Sequence, residues 1–363
     1  MFVHRCWYVA AWSSEIVAGK LAGRKIINEP VVLYRTQDGS VVALEDRCCH
    51  RFAPLSLGRI EGDDVRCMYH GMKYDKCGIC IEIPGQALVP QKARVKSYPV
   101  VEKHGWIWVW MGEAALADPD LVPAAVGPED PDWTLRCGQM DYQANYLLLN
   151  DNLTDFTHLS YVHAKSFGTS EEFARTRPVV TRIPRGIRVQ RWLAGAINTD
   201  SASPLSESAS RLAGNEQWQT YDYLAPGVLL MYNAAYPPGT AERLGRGEPH
   251  RQRDVPVTES FTSQAVTPMT DSSSRYFFSW GPRRAAGSDA MAAMMYEVAL
   301  IAFGEDKDII EAQQRVIDMD PQRKPLLSSA DLGPTQMRRV IEDLLKAESA
   351  APGAVGSRNG RPA

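Results

Sequence analysis

A chain of 363 residues with a net charge of −3 is long enough for two separately packed cores and lacks the basic excess of a nucleic-acid binder. No run approaches the roughly 20 uninterrupted apolar residues of a membrane helix, so no membrane role is expected. The opening residues Met1-Phe2-Val3-His4-Arg5-Cys6-Trp7 carry no basic segment followed by an apolar stretch and a small-residue cleavage site. A cytoplasmic protein is therefore the expectation.

Up to about residue 115 the chain is a series of short strand-like runs broken by turn residues. Val31–Arg35 leads into Asp38-Gly39 and then Val41–Leu44, a hairpin signal. Trp106-Ile107-Trp108-Val109-Trp110 reads as a strand with one face of indoles, to be buried in a β-domain core or at an interface. The stretch 116–133, rich in Pro and Asp, reads as a linker. Beyond it Tyr146–Tyr161 is helix-compatible. Strand-like segments follow at Val179–Val189, Val228–Ala235, Ser260–Val266 and Arg275–Trp280. Helical patterns close the chain at Ala290–Phe303, Lys307–Ile317 and Thr335–Glu348, and 349–363 has the composition of a disordered tail. The expected architecture is α+β: an all-β domain over 1–115, then a catalytic domain over 134–348 built on an antiparallel sheet with helices.

Two clusters of ligand-type residues stand out. The chain has seven cysteines, an odd number without a disulfide pattern, and seven histidines. Four of those histidines fall in two short stretches. The first stretch pairs Cys48-Cys49-His50 with Cys67-Met68-Tyr69-His70, each loop supplying one cysteine and one histidine. Two thiolates and two imidazoles suit a [2Fe–2S] cluster whose irons have different ligands, and replacing thiolate by neutral imidazole raises its potential. Such a cluster can accept an electron from a ferredoxin or flavin reductase. Zinc, which also takes Cys₂His₂, more often uses Cys-x-x-Cys and His-x-x-x-His pairs and has no redox chemistry. Cys77 and Cys80 read as free or packed thiols, and Cys49, Cys6 and Cys137 as small apolar residues.

The second stretch is Asn152-Leu153-Thr154-Asp155-Phe156-Thr157-His158, followed by His163. On a helix Asn152, Asp155 and His158 share a broad face, whereas His163 lies about 140° round from His158. Both imidazoles reach one metal only if the helix ends, bulges or bends between Leu159 and Val162, and a π-bulge would serve. A third, carboxylate ligand from elsewhere would complete a two-histidine, one-carboxylate iron site with positions open for dioxygen. The acidic run Gly304-Glu305-Asp306-Lys307-Asp308, expected to join two helices, is the candidate. Asp155 is expected to hydrogen-bond a ligating imidazole through its carboxylate, fixing the ring's orientation.

Taken with Trp7-Tyr8-Val9-Ala10, Arg51-Phe52-Ala53-Pro54-Leu55-Ser56 after the first loop, Gly71 after the second, Tyr161-Val162-His163 and Glu305-Asp306-Lys307, these motifs cover nearly the whole chain. The chain resembles the Rieske-type non-haem iron oxygenases, and among them the oxygenase components of the vanillate O-demethylase and dicamba monooxygenase kind. The resemblance implies a Rieske [2Fe–2S] domain followed by a helix-grip catalytic domain. Cys48, His50, Cys67 and His70 would be cluster ligands, and His158, His163 and Asp306 ligands of a mononuclear Fe(II). It also implies a homotrimer with no separate small subunit, in which one subunit's cluster faces its neighbour's iron and Asp155 bridges a histidine on each side. Cys49 stands where relatives usually have proline, so the loop lacks that rigid φ and gains a third thiol.

The expected activity is oxidative O-demethylation of a small methoxylated aromatic, with O₂ as co-substrate and an NAD(P)H-dependent reductase or ferredoxin as electron partner. Asp155 and Asn152 are the expected catalytic residues beside the iron. Ring hydroxylation or dihydroxylation on the same machinery is the first alternative, and an electron carrier with a decayed second site is the other. Asn233 and Gln264 are candidate polar anchors for the substrate. The basic loop from Arg243 to Arg253 reads as a solvated flap.

Overall fold

The computed structural model describes residues 1–163, 166–167, 171–194, 214–250 and 252–350. Eleven strands precede residue 115: β1 (Trp7–Trp12), β2 (Ala22–Ile26), β3 (Glu29–Arg35), β4 (Val41–Glu45), β5 (Arg59–Glu61), β6 (Asp64–Arg66), β7 (Lys73–Tyr74), β8 (Cys80–Glu82), β9 (Ser97–Tyr98), β10 (Val100–Lys103) and β11 (Trp106–Trp110). They form three antiparallel sheets, ordered β1-β11-β10, β2-β3-β4-β9 and β5-β6-β7-β8. The Asp38-Gly39 hairpin forms between β3 and β4, pairing Arg35 with Val41, and Gly39 takes φ +86° at the turn.

After two single 3₁₀ turns the chain enters β12 (Arg136–Tyr142) and α1 (Tyr146–Thr154), then a five-residue helix α2 (Glu171–Arg175). Strands β13 (Val179–Ile183), β14 (Gly186–Ala194), β15 (Glu216–Leu224) and β16 (Val228–Tyr236) follow, then a four-residue helix α3 (Thr240–Arg243). The chain continues through β17 (Thr258–Thr270), β18 (Ser273–Pro282), α4 (Asp289–Met319) and α5 (Leu332–Ala350). Seven of these strands make one antiparallel sheet in the order β12-β18-β17-β16-β15-β14-β13. Helix α4 lies across one face of it: Phe303 and Ala299 pack with Phe278 and Tyr276 in one core. This is the α+β, helix-grip arrangement.

The indole strand joins the two halves. Trp7, Trp12, Trp106, Trp108 and Trp110 form one core with Val228, Ala265 and Phe277 from the outer face of the large sheet. Trp12 Nε1 donates to Gly138 O at 3.1 Å, and Thr267 Oγ1 donates to Val9 O at 2.6 Å. A buried indole removes roughly 200 Å² from water, about 5 kcal/mol each as an upper figure, so five of them make this contact as strong as a domain interior.

Several elements differ from their sequence expectation. Val179–Val189 is a hairpin, β13 and β14, turning at Pro184-Arg185, because Arg185 adopts φ +55° there. The patterns 290–303 and 307–317 are one continuous helix of 31 residues, so Glu305-Asp306 lies within a helix and joins nothing. Edge strand β12 and strand β15 were not foreseen; both alternate polar with apolar residues too irregularly to stand out. Ser349 and Ala350 belong to α5, and the remainder of the expected tail lies outside the described residues.

Candidate metal centres

The cluster loops are built alike. In the first, Phe52 N returns to Cys48 O at 2.9 Å; in the second, Gly71 N returns to Cys67 O at 3.0 Å. Both closing residues have positive φ, +59° at Phe52 and +78° at Gly71. A Cβ on Gly71 would meet Pro84 Cγ at 2.8 Å, so the second loop needs glycine there. Cys48 and Cys67 are buried, whereas His50 and His70 are exposed with ring centroids 4.6 Å apart. Two inward thiols and two outward imidazoles at the tips of neighbouring loops fit a [2Fe–2S] cluster with a differentiated ligand set. Tyr74 was not foreseen as part of this site. Its hydroxyl lies 3.1 Å from Cys48 Sγ and 3.3 Å from Cys49 Sγ, and it accepts from Cys49 N at 3.2 Å. All seven cysteines are unbonded; Cys77 is exposed and Cys80 buried.

The second centre depends on where α1 stops. The helix ends at Thr154, earlier than the 159–162 break expected, and a 3₁₀ turn over Thr157–Ser160 replaces the π-bulge. Asp155 causes the break. Its carboxylate accepts from Thr157 N at 2.9 Å and Thr157 Oγ1 at 3.0 Å, a local turn that competes with helix continuation. The ring of His158 is oriented by the Asp155 backbone, with Nδ1 2.6 Å from Asp155 O, and not by the carboxylate as the sequence suggested. Tyr161 N and Val162 N then both donate to His158 O, swinging His163 back toward His158.

Helix α4 brings the carboxylates. Asp306 Oδ1 lies 3.5 Å from His158 Nε2 and 3.2 Å from His163 Nε2. Ligand atoms of these three residues all fall within 4.8 Å of one another. Asn152 Nδ2 donates to Asp306 Oδ1 at 2.9 Å and lies 3.3 Å from His158 Nε2. Glu305 orients the other ring: its Oε2 is 2.9 Å from His163 Nδ1 and accepts from Ser166 Oγ at 2.6 Å. Because Asp155 O and the Glu305 carboxylate only accept, both Nδ1 atoms carry the proton and both Nε2 lone pairs converge on Asp306. That donor set fits a metal ion. Burial disfavours the charged form of both rings. At His158 it outweighs the pull of Asp306, while at His163 Asp306 and Glu305 together overcome it.

Other contacts clamp α4 against the end of β12 and the turn that leads into α1. Gln143 N donates to Glu311 Oε1 at 2.8 Å, Asn145 N to Gln314 Oε1 at 2.9 Å, and Tyr142 Oη to Phe303 O at 2.9 Å.

A cavity of about 320 Å³ opens onto His158, His163 and Asp306, within the range of small-molecule sites. One wall is apolar, from Leu153, Phe156, Leu159, Met294, Met295 and Phe303. The sheet wall is polar and includes both anticipated anchors, Asn233 and Gln264, and also Gln219, Thr262 and Trp280. Gln219 Oε1, Thr262 Oγ1, Gln264 Oε1 and Trp280 Nε1 are buried without a hydrogen-bond partner, so this wall presents free polar atoms to a ligand. The loop after α3 is tied down by Arg243 Nη2 to Asp254 Oδ1 at 2.7 Å and Trp192 Nε1 to Gly247 O at 2.9 Å.

A β-domain with paired Cys/His loops, joined to a gripped helix that completes a two-histidine, one-carboxylate centre, defines a two-centre iron oxygenase. Residues 6–99 match the Rieske [2Fe-2S] domain and residues 142–347 the vanillate O-demethylase oxygenase C-terminal domain, and the chain belongs to this family of Rieske non-haem iron oxygenases. It is an oxidoreductase, the oxygenase component of a multicomponent monooxygenase, with a [2Fe–2S] cluster and a mononuclear iron as cofactors.

The chain is 41% identical to a toluene-4-sulfonate monooxygenase system iron-sulfur subunit of Comamonas testosteroni, over 96% of this chain and 99% of that one. It is 36% identical to the vanillate O-demethylase oxygenase subunit of Pseudomonas sp. strain HR199, over 98% of both chains. The crystal structure of dicamba monooxygenase bound to dicamba superposes with a TM-score of 0.82 at 31% identity, covering 96% of this chain and 99% of that one. Among the described residues no helix is long and apolar enough to cross a membrane.

Proposed function

We propose that this protein is a cytoplasmic terminal oxygenase that oxidatively O-demethylates a small methoxylated aromatic, with O₂ as co-substrate. Electrons come from a separate NAD(P)H-dependent reductase, directly or through a ferredoxin. The observation that carries this reading is the convergence of His158, His163 and Asp306 on a cavity of about 320 Å³ with one apolar wall, room for a small aromatic. Cys48, His50, Cys67 and His70 hold the cluster, and His158, His163 and Asp306 hold Fe(II), which when bound supplies the oxygen-activating chemistry.

The remaining roles belong to the chain. Asp155 and Glu305 hold a proton on each Nδ1 and so keep each Nε2 free to bind metal. Asn152 keeps the Asp306 carboxylate turned toward the two rings. Phe156, Leu159 and Phe303 exclude water and stack the ring, while Asn233 and Gln264 position its polar substituents. The exposed side chains Phe52, Leu57, Met68 and Tyr69 around the cluster tip support a homotrimer in which this surface docks on a neighbour's catalytic domain.

The test is turnover with a surrogate reductase on a panel of methoxylated aromatics. Formaldehyde formed in step with oxygen consumed is the expected result, and a ring diol or phenol without formaldehyde would reassign the reaction to ring hydroxylation. The 41% likeness to the toluene-4-sulfonate subunit favours a second reading, oxygenation of a methyl-bearing arenesulfonate, which a benzylic alcohol product would identify.

A further inference from the structure

Arg191 is an uncommon residue for its position. On β14 it sits between Val189 and Leu193, each 1% exposed, in the alternating set that faces the helix side of the sheet, and is itself only 4% exposed. Its Nε and Nη1 are buried without a hydrogen-bond partner, and among the described residues no carboxylate pairs with it. The guanidinium carbon lies 4.6 Å from the Phe173 ring centroid and 5.9 Å from that of Phe156. Both rings line the cavity beside the iron site.

The register places Arg191 in a row. Across the sheet it pairs with Gln219, Gln219 pairs with Asn233, and Asn233 with Ser260. Directly opposed residues of antiparallel strands share a face, so all four project to the same side, and Gln219, Asn233 and Ser260 line the cavity. Gln219 Nε2 donates to Asn233 Oδ1 at 3.1 Å, which leaves Gln219 Oε1 free.

A guanidinium stays protonated even when buried, and a buried charge without a counter-ion is costly to retain. Burial works against its charge and outweighs Tyr221 and Asp155, the groups that favour it. Asp155, however, commits both carboxylate oxygens to Thr157. Glu259, an acidic residue of the cavity wall, is held by the Tyr232 hydroxyl at 2.8 Å and faces Arg283 at 4.0 Å. Among the described residues, no lysine or arginine lines the cavity itself. The positive charge behind Phe156 and Phe173 is thus left without an anionic partner: the neutral Tyr221 hydroxyl is its hydrogen-bond partner, and Nε and Nη1 have none.

We propose that Arg191 is a specificity-determining residue whose guanidinium receives the acidic group, carboxylate or sulfonate, of an aromatic acid substrate. This rests on the oxygenase reading and narrows it from aromatics in general to aromatic acids. The oxyanion supplies the missing counter-charge, and Gln219 and Asn233 extend the polar row toward the ring.

The test is equilibrium binding by calorimetry to the metallated enzyme without reductase, so that no turnover is needed. Two matched pairs are used: 4-methoxybenzoate against 4-methoxybenzamide, and toluene-4-sulfonate against toluene-4-sulfonamide. Wild-type protein should bind at least one acid ten-fold or more tighter than its amide, and the pair that shows it distinguishes carboxylate from sulfonate. R191Q should reduce that ratio to within two-fold while changing amide affinity less than three-fold. R191K, which keeps a buried charge but loses the planar fork, should weaken the acid several-fold and leave the amide unchanged, and provides the test should R191Q fail to fold. No acid preference in the wild type, or an unchanged preference in the variants, overturns the proposal. Formaldehyde release measured separately reads the demethylation, so failure of one leaves the other standing.

Discussion

Tyr74 and Glu305 each act on a metal centre through a ligand residue; no motif announces Tyr74, and the motif that holds Glu305 does not announce its role. The Tyr74 hydroxyl reaches Cys48 Sγ, and a hydrogen bond to a cluster thiolate stabilises the more negative, reduced state. Tyr74→Phe should therefore lower the midpoint potential, by about 40 mV if the bond is worth about 1 kcal/mol in a one-electron couple. Redox titration followed by EPR reads this, and an unmoved potential would remove Tyr74 from the account. Glu305 is the acceptor for His163 Nδ1. Glu305→Gln should weaken mononuclear iron binding roughly 10–100-fold, the usual effect of losing a ligand's orienting partner, with the cluster untouched. Chelator competition with iron counting checks it. Spacing located Glu305 beside Asp306 but did not show that one carboxylate faces a ring Nδ1 and the other the Nε2 atoms, because adjacent helical residues diverge by about 100°.

At the scale of elements, the iron site is assembled by where α1 stops and where α5 packs. Gly333 near the start of α5 touches the end of α1 so closely that a Cβ would lie 2.1 Å from Thr154 O. Arg338 on the same helix donates from Nε to Asp151 Oδ1 at 2.8 Å. Gly333→Ala must push α5 off the turn that leads into Asp155 and His158. A loss of about 1–3 kcal/mol is expected, read as a lower urea midpoint, together with reduced iron occupancy. Wild-type stability would show that the two helices can separate freely. The helix pattern itself was legible from the leucines of α1 and the periodicity of α4. Its stopping point was not, since Asp155-x-Thr157 looks like ordinary helix surface until its side-chain turn is seen.

Across the whole molecule, the cluster histidines lie at an exposed tip ringed by Phe52, Met68 and Tyr69, whereas the iron ligands are enclosed beneath the gripped helix. An electron must pass between them, and in the proposed trimer the short path runs past a neighbour's Asp155, whose backbone carbonyl holds His158 and whose carboxylate is set by Thr157. Asp155→Asn should keep its turn to Thr157 and bind both metals, yet slow cluster-to-iron electron transfer and coupled turnover by more than ten-fold. Stopped-flow reoxidation of the pre-reduced cluster measures it, and near-normal rates would dismiss the bridge. Light scattering that returned a monomer would dismiss the trimer.

The chemistry was written locally and the specificity was not. Cys48-x-His50 and Cys67-x-x-His70 specify their centre from within a few residues, because each tight loop must present one thiol and one imidazole. His158 and His163 sit five apart for a similar reason. Spacing alone left the acidic run 304–308 open and only the family resemblance singled out Asp306; the physical reason for it appears with α4 in place, 143 residues beyond His163 in the chain. The polar row of Arg191, Gln219, Asn233 and Ser260 has no spacing signature at all. Four strands contribute one residue each, and only the register of the folded sheet, a non-local property of hydrogen-bonded pairing, sets them side by side.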